Sequence, residues 1–220
     1  MLVSHRKKFI YTKTRKTAGT SVESYFEKYC LPEGDWTFSH ARDETVCEQG
    51  IIGFRGSQSG DKTWWNHMPA ADICGLIGQE IWRNYFKFCV VRNPFDKVVS
   101  AFHFFGTQRP PEPGIEPDLL VRQFRAWLKE NQKVMDRETY MINNLIAMDY
   151  FIRYEHLKEG ICHVCDHLGL PFEPHDIPVL KAGVRDRCID LRDYYDESSY
   201  AIVEANYRFE LDYFGYKRPR

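Results

Sequence analysis

The chain has no apolar run approaching the ~20 residues that a membrane-spanning helix requires. Its opening residues, Met1-Leu2-Val3-Ser4-His5-Arg6-Lys7-Lys8, lack the apolar core of a secretory signal. There is no excess of charge of either sign: 30 basic and 31 acidic residues give a formal net charge of −1. That balance, with no basic stripe, argues against general nucleic-acid binding and requires that any anion site be built locally. A paired cysteine framework is missing too. The seven cysteines, Cys30, Cys47, Cys74, Cys89, Cys162, Cys165 and Cys188, are odd in number and irregular in spacing, as reduced thiols are. Together these absences make a cytoplasmic, membrane-free protein the expectation. Internal repeats and low-complexity segments are also absent.

What is present reads as alternating strands and helices. A length of 220 residues suits a single domain spanning 1–220. Phe9-Ile10-Tyr11 reads as a strand, and Ala18, Val22, Tyr25, Phe26 and Tyr29 then recur at helical spacing. Residues 31–63 read mostly as loop, with a short strand at Ile51–Phe54, and a short helix starts near Pro69. Phe86 to Val91 is a near-continuous apolar run, the pattern of a strand covered on both faces. Asn93 can cap the following helix, with Pro94 at its first position and Phe95, Val98, Val99, Phe102 and Phe105 as its apolar stripe. Four prolines make Arg109 to Pro117 an irregular loop, and Leu120, Phe124, Trp127 and Leu128 mark a helix after it. Tyr150 to Tyr154 reads as a third strand, followed by a helix that ends at Gly169. One last helix carries Tyr200, Val203, Tyr207 and Leu211. The expected fold is α/β, a central parallel sheet flanked by helices, with ligands at the carboxyl ends of the strands.

Two strand ends carry the chemistry. The first is Thr12-Lys13-Thr14-Arg15-Lys16-Thr17-Ala18-Gly19-Thr20-Ser21, which joins a strand to a helix. Such a turn aims unpaired backbone N–H groups and the positive helix end at one point. Gly19 permits close backbone approach, Thr17, Thr20 and Ser21 add hydroxyls, and Lys16 adds a point charge. The order differs from the nucleoside-triphosphate loop G-x-x-x-x-G-K-[ST], because the lysine precedes the glycine and no second glycine lies upstream. Taken alone, the segment also fits a basic turn beside an ordinary helix cap. The second strand end runs from Val91 through Arg92-Asn93-Pro94-Phe95-Asp96-Lys97-Val98-Val99-Ser100. A guanidinium fork there suits a phosphate monoester, which the Ser100 hydroxyl can share.

Lys16-Thr17-Ala18-Gly19-Thr20-Ser21 resembles the 5′-phosphosulfate loop of sulfotransferases that use 3′-phosphoadenosine-5′-phosphosulfate (PAPS), and Arg92 to Ser100 resembles their 3′-phosphate motif. The likeness is to the carbohydrate-type, family 2 branch, whose loop has proline where this chain has Arg15. It extends over Asn66 to Phe88, Ile152 to Leu157, Arg192 to Asp196 and Asp212 to Tyr216. The resemblance implies a P-loop-like, nucleotide-kinase-like three-layer sandwich and PAPS as donor, with no metal. It implies that Arg15 to Ser21 hold the 5′ end, with Lys16 meeting the charge on the leaving oxygen, and that Arg92 and Ser100 hold the 3′-phosphate. Lys181 or Arg185, in a loop that closes over the nucleotide in the family, is either a further phosphate contact or part of a solvated basic loop. His67 matches a family histidine and is the first candidate for general base, since imidazole titrates near working pH; otherwise it is a solvated loop histidine. Glu23 is the second candidate and is otherwise an exposed charge on the helix face. His103 and His40 rank below both.

Other signals carry less. Cys162-His163-Val164-Cys165 with His167 has metal-ligand residue types, but no second pair completes a structural zinc site, and an amphipathic helix explains the cysteines. Trp64 and Trp65 fit either an acceptor platform or packing anchors. The acceptor implied by the resemblance is a carbohydrate or small natural-product hydroxyl. Two competing readings are a nucleotide kinase with a degenerate phosphate loop and a nucleotide- or partner-binding module without catalysis.

Overall fold

The computed structural model describes residues 1–56, 60–106, 116–130, 134–178, 180 and 189–219. In chain order the strands and helices begin with β1 (Leu2–Ser4), β2 (Phe9–Tyr11), α1 (Gly19–Glu27), β3 (Thr45–Cys47) and β4 (Gly50–Ile52). Then come α2 (Ala70–Ile77), α3 (Gln79–Asn84), β5 (Phe86–Val91), α4 (Pro94–Ala101) and α5 (Pro117–Lys129). The last are β6 (Met141–Ile142), β7 (Leu145–Ile146), β8 (Tyr150–Arg153), α6 (Leu157–Leu168), α7 (Glu197–Asn206) and α8 (Arg208–Phe214). They fall into two compact units: Met1–Val91 with Asp136–Leu180, and Arg92–Met135 with Lys181–Arg220.

The first unit holds a sheet in the order β3-β4-β1-β2-β5-β8. β2, β5 and β8 run parallel, with Tyr11 opposite Phe88 and Val90 opposite Ile152. β1 is antiparallel to both β2 and β4, and β3 is antiparallel to β4. The sheet is therefore mixed, which corrects the expected parallel sheet. The cause is local. Residues 5–8 turn back tightly, with Lys8 at φ 54°, so β1 pairs with β2 as a hairpin, whereas parallel neighbours need a long crossover. β1 and β3 are three residues each, too short to show a period in the sequence. The β6–β7 hairpin turns at Asn143-Asn144, both at positive φ as a type I′ turn demands.

The predicted strands at Phe9–Tyr11, Phe86–Val91 and Tyr150 onward are β2, β5 and β8. β5 is buried at every position after Phe86, which accounts for its unbroken apolar run. Phe9, Tyr11, Phe88, Val90 and Ile152 pack with Val22 and Phe26 of α1 and Ile161, Val164 and Cys165 of α6. Phe26 meets Phe88 edge-on at 5.1 Å. Each such side chain contributes about 1.5–3 kcal/mol by leaving water. This cluster fixes α1 against the sheet and so fixes the loop that joins β2 to α1.

The second unit starts as expected. The Asn93 side chain accepts from the Phe95 N–H at 3.1 Å, and Pro94 opens α4. One turn of π-helix, Phe102–Gly106, continues it. Phe95, Val98, Val99 and Phe102 pack with Leu120, Phe124, Tyr194, Val203 and Tyr207. The single C-terminal helix expected from the spacing is instead two, because Tyr207 leaves helical geometry at ψ 23° between α7 and α8. Among the described residues no helix is long and apolar enough to cross a membrane.

Candidate functional site: a strand–helix anion cradle and a neutral histidine

The loop after β2 grows directly from the carboxyl ends of two parallel strands. The Thr12 N–H donates to the Phe88 carbonyl at 3.1 Å, and the Thr14 hydroxyl donates to the Val90 carbonyl at 2.5 Å. Lys16 and Ala18 then adopt φ of +60° and +57°. Left-handed geometry at residues with a Cβ costs about 1–3 kcal/mol each and persists where the surroundings impose it. Left-handed residues in such a turn direct successive N–H groups inward, the geometry of an anion nest. Ser21 and Val22 donate their N–H groups to the Ala18 carbonyl, but no side chain caps α1. Among the described residues, the N–H groups of Thr17, Ala18, Gly19 and Thr20 have no protein acceptor. Adjacent orphan donors at the positive end of a helix suit a phosphate or sulfate group.

The side chains of this loop divide in their duties. Thr17 is fully buried and its hydroxyl pairs with Thr14 Oγ1 at 2.7 Å. The Thr17 hydroxyl is thus engaged within the loop, and its backbone N–H is the group left without a protein acceptor among the described residues. Thr20 and Ser21 keep hydroxyls that bond to nothing among the described residues. Arg15 has an exposed side chain, and its N–H donates to Asp136 Oδ2 at 2.6 Å, which anchors the loop's outer edge. Lys16 is half-buried. Gly19 has a second reason beyond close approach: a Cβ there would lie 3.0 Å from Lys13 Cγ and 3.2 Å from the Thr14 carbonyl oxygen.

Beneath the loop lies a buried charge network that the sequence did not announce. Glu23, on α1, is 0% exposed. Its carboxylate meets Lys13 Nζ at 2.7 Å, the Met1 ammonium at 2.8 Å, Arg55 Nη1 at 2.8 Å and Arg42 Nη2 at 3.4 Å. Arg55 also reaches Glu27 Oε1 at 2.6 Å. Glu23 is therefore not an exposed charge on a helix face, which corrects that expectation. Burial alone would raise its pKa, but Lys13, the Met1 ammonium, Arg42 and Arg55 hold it well below the ordinary carboxylate value. Both oxygens are engaged by cations, so Glu23 is poorly placed to take a proton from a substrate. Lys13, Arg42 and Arg55 carry no motif; Lys13 looked like one more cation in a basic turn.

His67 lies just before α2, in a segment tied to the sheet side by Asn66 N–H donating to the Phe54 carbonyl at 3.0 Å. Its φ is 58°, another left-handed residue with a Cβ. His67 Nδ1 lies 2.9 Å from the Lys13 carbonyl oxygen. A carbonyl only accepts, so Nδ1 carries the proton and Nε2 presents a lone pair. Burial, then the charges of Lys13 and Arg15, push the imidazole pKa down to about 3. His67 is a neutral imidazole of fixed tautomer, half-buried rather than a solvated loop histidine. Trp64 is buried and Trp65 half-buried beside it; the Trp64 carbonyl accepts from Phe54 N–H at 2.8 Å, as a packing anchor would.

In the second unit the Arg92 fork lies along the first turn of α4. Nε and Nη2 reach Asp96 Oδ2 at 2.8 and 2.7 Å. Ser100 follows Asp96 by four residues, on the same helix face, and is half-buried. Lys181 and Arg185 lie outside the described residues. Of the lesser candidates, His103 is buried with Nε2 2.9 Å from the Tyr194 hydroxyl, and His40 is exposed with its carbonyl accepting from Arg55 Nε. On α6, His163 stacks on Tyr150, His167 stacks on Phe86, and Cys165 lies in the core, so these side chains serve packing.

An α/β chain with adjacent N–H groups lacking a protein acceptor, near a tautomer-fixed histidine, has the parts of a site for an anionic group. Comparison with known proteins gives the class its name: the chain belongs to the sulfotransferase family, whose model matches residues 1–217, and it is a sulfotransferase. An uncharacterized protein of Archaeoglobus fulgidus is 30% identical over 108 residues, 48% of this chain and 86% of that protein. No solved structure matches the chain.

Proposed function

We propose that this sulfotransferase moves the sulfuryl group of PAPS to an acceptor hydroxyl on a carbohydrate or small natural product, by in-line displacement without a metal. The observation that carries this reading is the set of orphan N–H groups from Thr17 to Thr20, with Lys16 alongside, at the carboxyl end of β2. In this reading residues 1–220 act as one sulfotransferase domain of the P-loop-like, three-layer kind, resident in the cytoplasm. Among the described residues Cys30, Cys47, Cys74, Cys162 and Cys165 are free thiols, which suits that compartment.

The cradle's N–H groups and Lys16 bind the 5′-phosphosulfate, while Arg92 and Ser100 take the 3′-phosphate. Arg15, Ala18 and Gly19 shape the cradle, and Thr20 and Ser21 offer it hydroxyls. Lys181 and Arg185 are the remaining proposed phosphate contacts. His67 Nε2 accepts the proton of the acceptor hydroxyl as that oxygen bonds to sulfur. The bond from sulfur to the 5′-phosphate oxygen breaks, and its electron pair stays on that oxygen. Lys16 and the orphan N–H groups meet the growing charge; one such preorganised donor is worth about 10²–10³ in rate. A pKa of about 3 makes the free-enzyme imidazole a weak base, and a bound anionic donor raises it by its own charge. His67 is favoured over Glu23 because its lone pair is open.

Thermal shift decides between this reading and a kinase. At a hundredfold over its dissociation constant, a specific ligand adds about 2.7 kcal/mol of stability. 3′-Phosphoadenosine-5′-phosphate (PAP) is expected to raise Tm and ATP with Mg²⁺ to leave it nearly unchanged. The reverse order would favour a phosphotransferase. A PAP shift without transfer from PAPS to any of a set of sugar and phenol acceptors would favour a binding module.

A further inference from the structure

Lys13 touches α1, the histidine segment and the turn at Gly19, yet it belongs to neither motif. Its carbonyl oxygen accepts from His67 Nδ1–H at 2.9 Å. Its ammonium donates to Glu23 Oε2 on α1 at 2.7 Å and to Asn66 Oδ1, next to His67, at 3.3 Å. Between these ends its stem passes under Gly19, the first residue of α1, where even a methyl group would meet it. The side chain is 4% exposed. Apolar residues of similar volume commonly replace buried ion pairs with no loss of stability, so packing alone gives weak reason for a charge here. A charge in this place does something packing cannot: it binds the cradle loop, α1 and the histidine segment into one rigid piece.

We propose that Lys13 is a positioning residue for sulfuryl transfer, its carbonyl fixing the His67 imidazole and its ammonium locking that segment and α1 to the anion loop. The proposal rests on reading His67 as the base. The charged groups that face His67 are Lys13 and Arg15 on the loop and the Met1 ammonium at the start of β1, with Glu23 of α1 behind Lys13. Lys13 thus acts on the imidazole twice. Its carbonyl holds the Nδ1–H tautomer, and its positive charge disfavours a second proton, so Nε2 stays open.

The test compares Lys13→Met with Lys13→Arg. In Lys13→Met, Glu23 keeps the Met1 ammonium, Arg42 and Arg55 as partners, so its carboxylate is not left bare. Three quantities are read: PAP affinity by calorimetry, kcat with saturating PAPS, and the His67 titration by carbon-13 histidine NMR, assigned with His67→Gln. In Lys13→Met, kcat is expected to fall about 10²-fold, as a misplaced reacting group does. PAP affinity should stay within about twofold, because the orphan N–H groups remain. The His67 titration should move toward neutral pH, and Lys13→Arg should restore it to the wild-type position. A lower Tm with kcat and the His67 titration both unmoved would make Lys13 merely structural and overturn the proposal. If Lys13→Met does not fold, Asn66→Ala cuts the link to the histidine segment without touching Glu23. It should lower kcat about tenfold with PAP affinity intact, and an unchanged kcat overturns the proposal. Failure of the wild type to bind PAP would instead defeat the donor assignment, and the NMR arm would still report on Lys13.

Discussion

In the loop after β2 the donors without a protein acceptor among the described residues are backbone N–H groups, and the charged side chains beneath them are locked in a buried network around Glu23. After β5 the positive charge is the Arg92 guanidinium, held by Asp96 one helical turn away, with its side chain 9% exposed. The first loop is tied on either side of its left-handed residues: Thr14 bonds to the Val90 carbonyl and the Arg15 N–H to Asp136, with Lys16 and Ala18 at positive φ. On the proposed function, the second relies on a side chain that exchanges or shares its carboxylate partner when a phosphate binds. A site that stabilises developing charge needs donors that do not reorganise. A site that only anchors the far end of a nucleotide can tolerate a fork that swings. On the proposed function, that difference assigns charge stabilisation to the first loop and anchoring to the second.

Substitutions can break that contrast. The largest effect is expected for His67→Ala, with kcat falling about 10²–10⁴-fold as for loss of a general base, and PAP affinity intact; steady-state kinetics beside calorimetry measure both. Wild-type turnover would remove His67 from the chemistry. Next is Glu23→Ala, which leaves Lys13, Arg42 and Arg55 buried around a missing carboxylate. Loss of one partner of a buried pair costs about 3–5 kcal/mol, so denaturant unfolding should show destabilisation of that size. A change under about 1 kcal/mol, as at a surface ion pair, would mean the network is solvated. The smallest effect is expected for Arg92→Lys, which keeps the charge and loses the fork: PAP affinity should drop about tenfold with kcat at saturation nearly unchanged. A large fall in kcat at saturation would show that the second loop shares in transition-state stabilisation and erase the contrast.

Much of this was legible in the sequence, for identifiable reasons. Strands buried on both faces announce themselves by composition, as Phe86–Val91 does, and the Asn93-Pro94 start of α4 follows from capping chemistry. The strand–turn–helix of β2 and α1 was legible because it lies within about twenty residues of sequence. The mixed sheet was not, because β1 and β3 are three-residue strands placed by pairing partners far along the chain. Glu23 misled because its helix position looked solvent-facing, while its cations come from residues 1, 13, 42 and 55. Lys13 was passed over for the same reason: its partners lie at Glu23, Asn66 and His67, joined by folding alone. Local chemistry can be read from spacing; a charge network assembled from four segments cannot.

A nitrogen-15 amide NMR titration with PAP reads the cradle directly. The largest shifts are expected at the N–H groups of Thr17, Ala18, Gly19 and Thr20, the donors that lack a protein acceptor. If PAP binds while those amides stay still and the shifts gather elsewhere, the β2–α1 loop is not where the phosphosulfate sits.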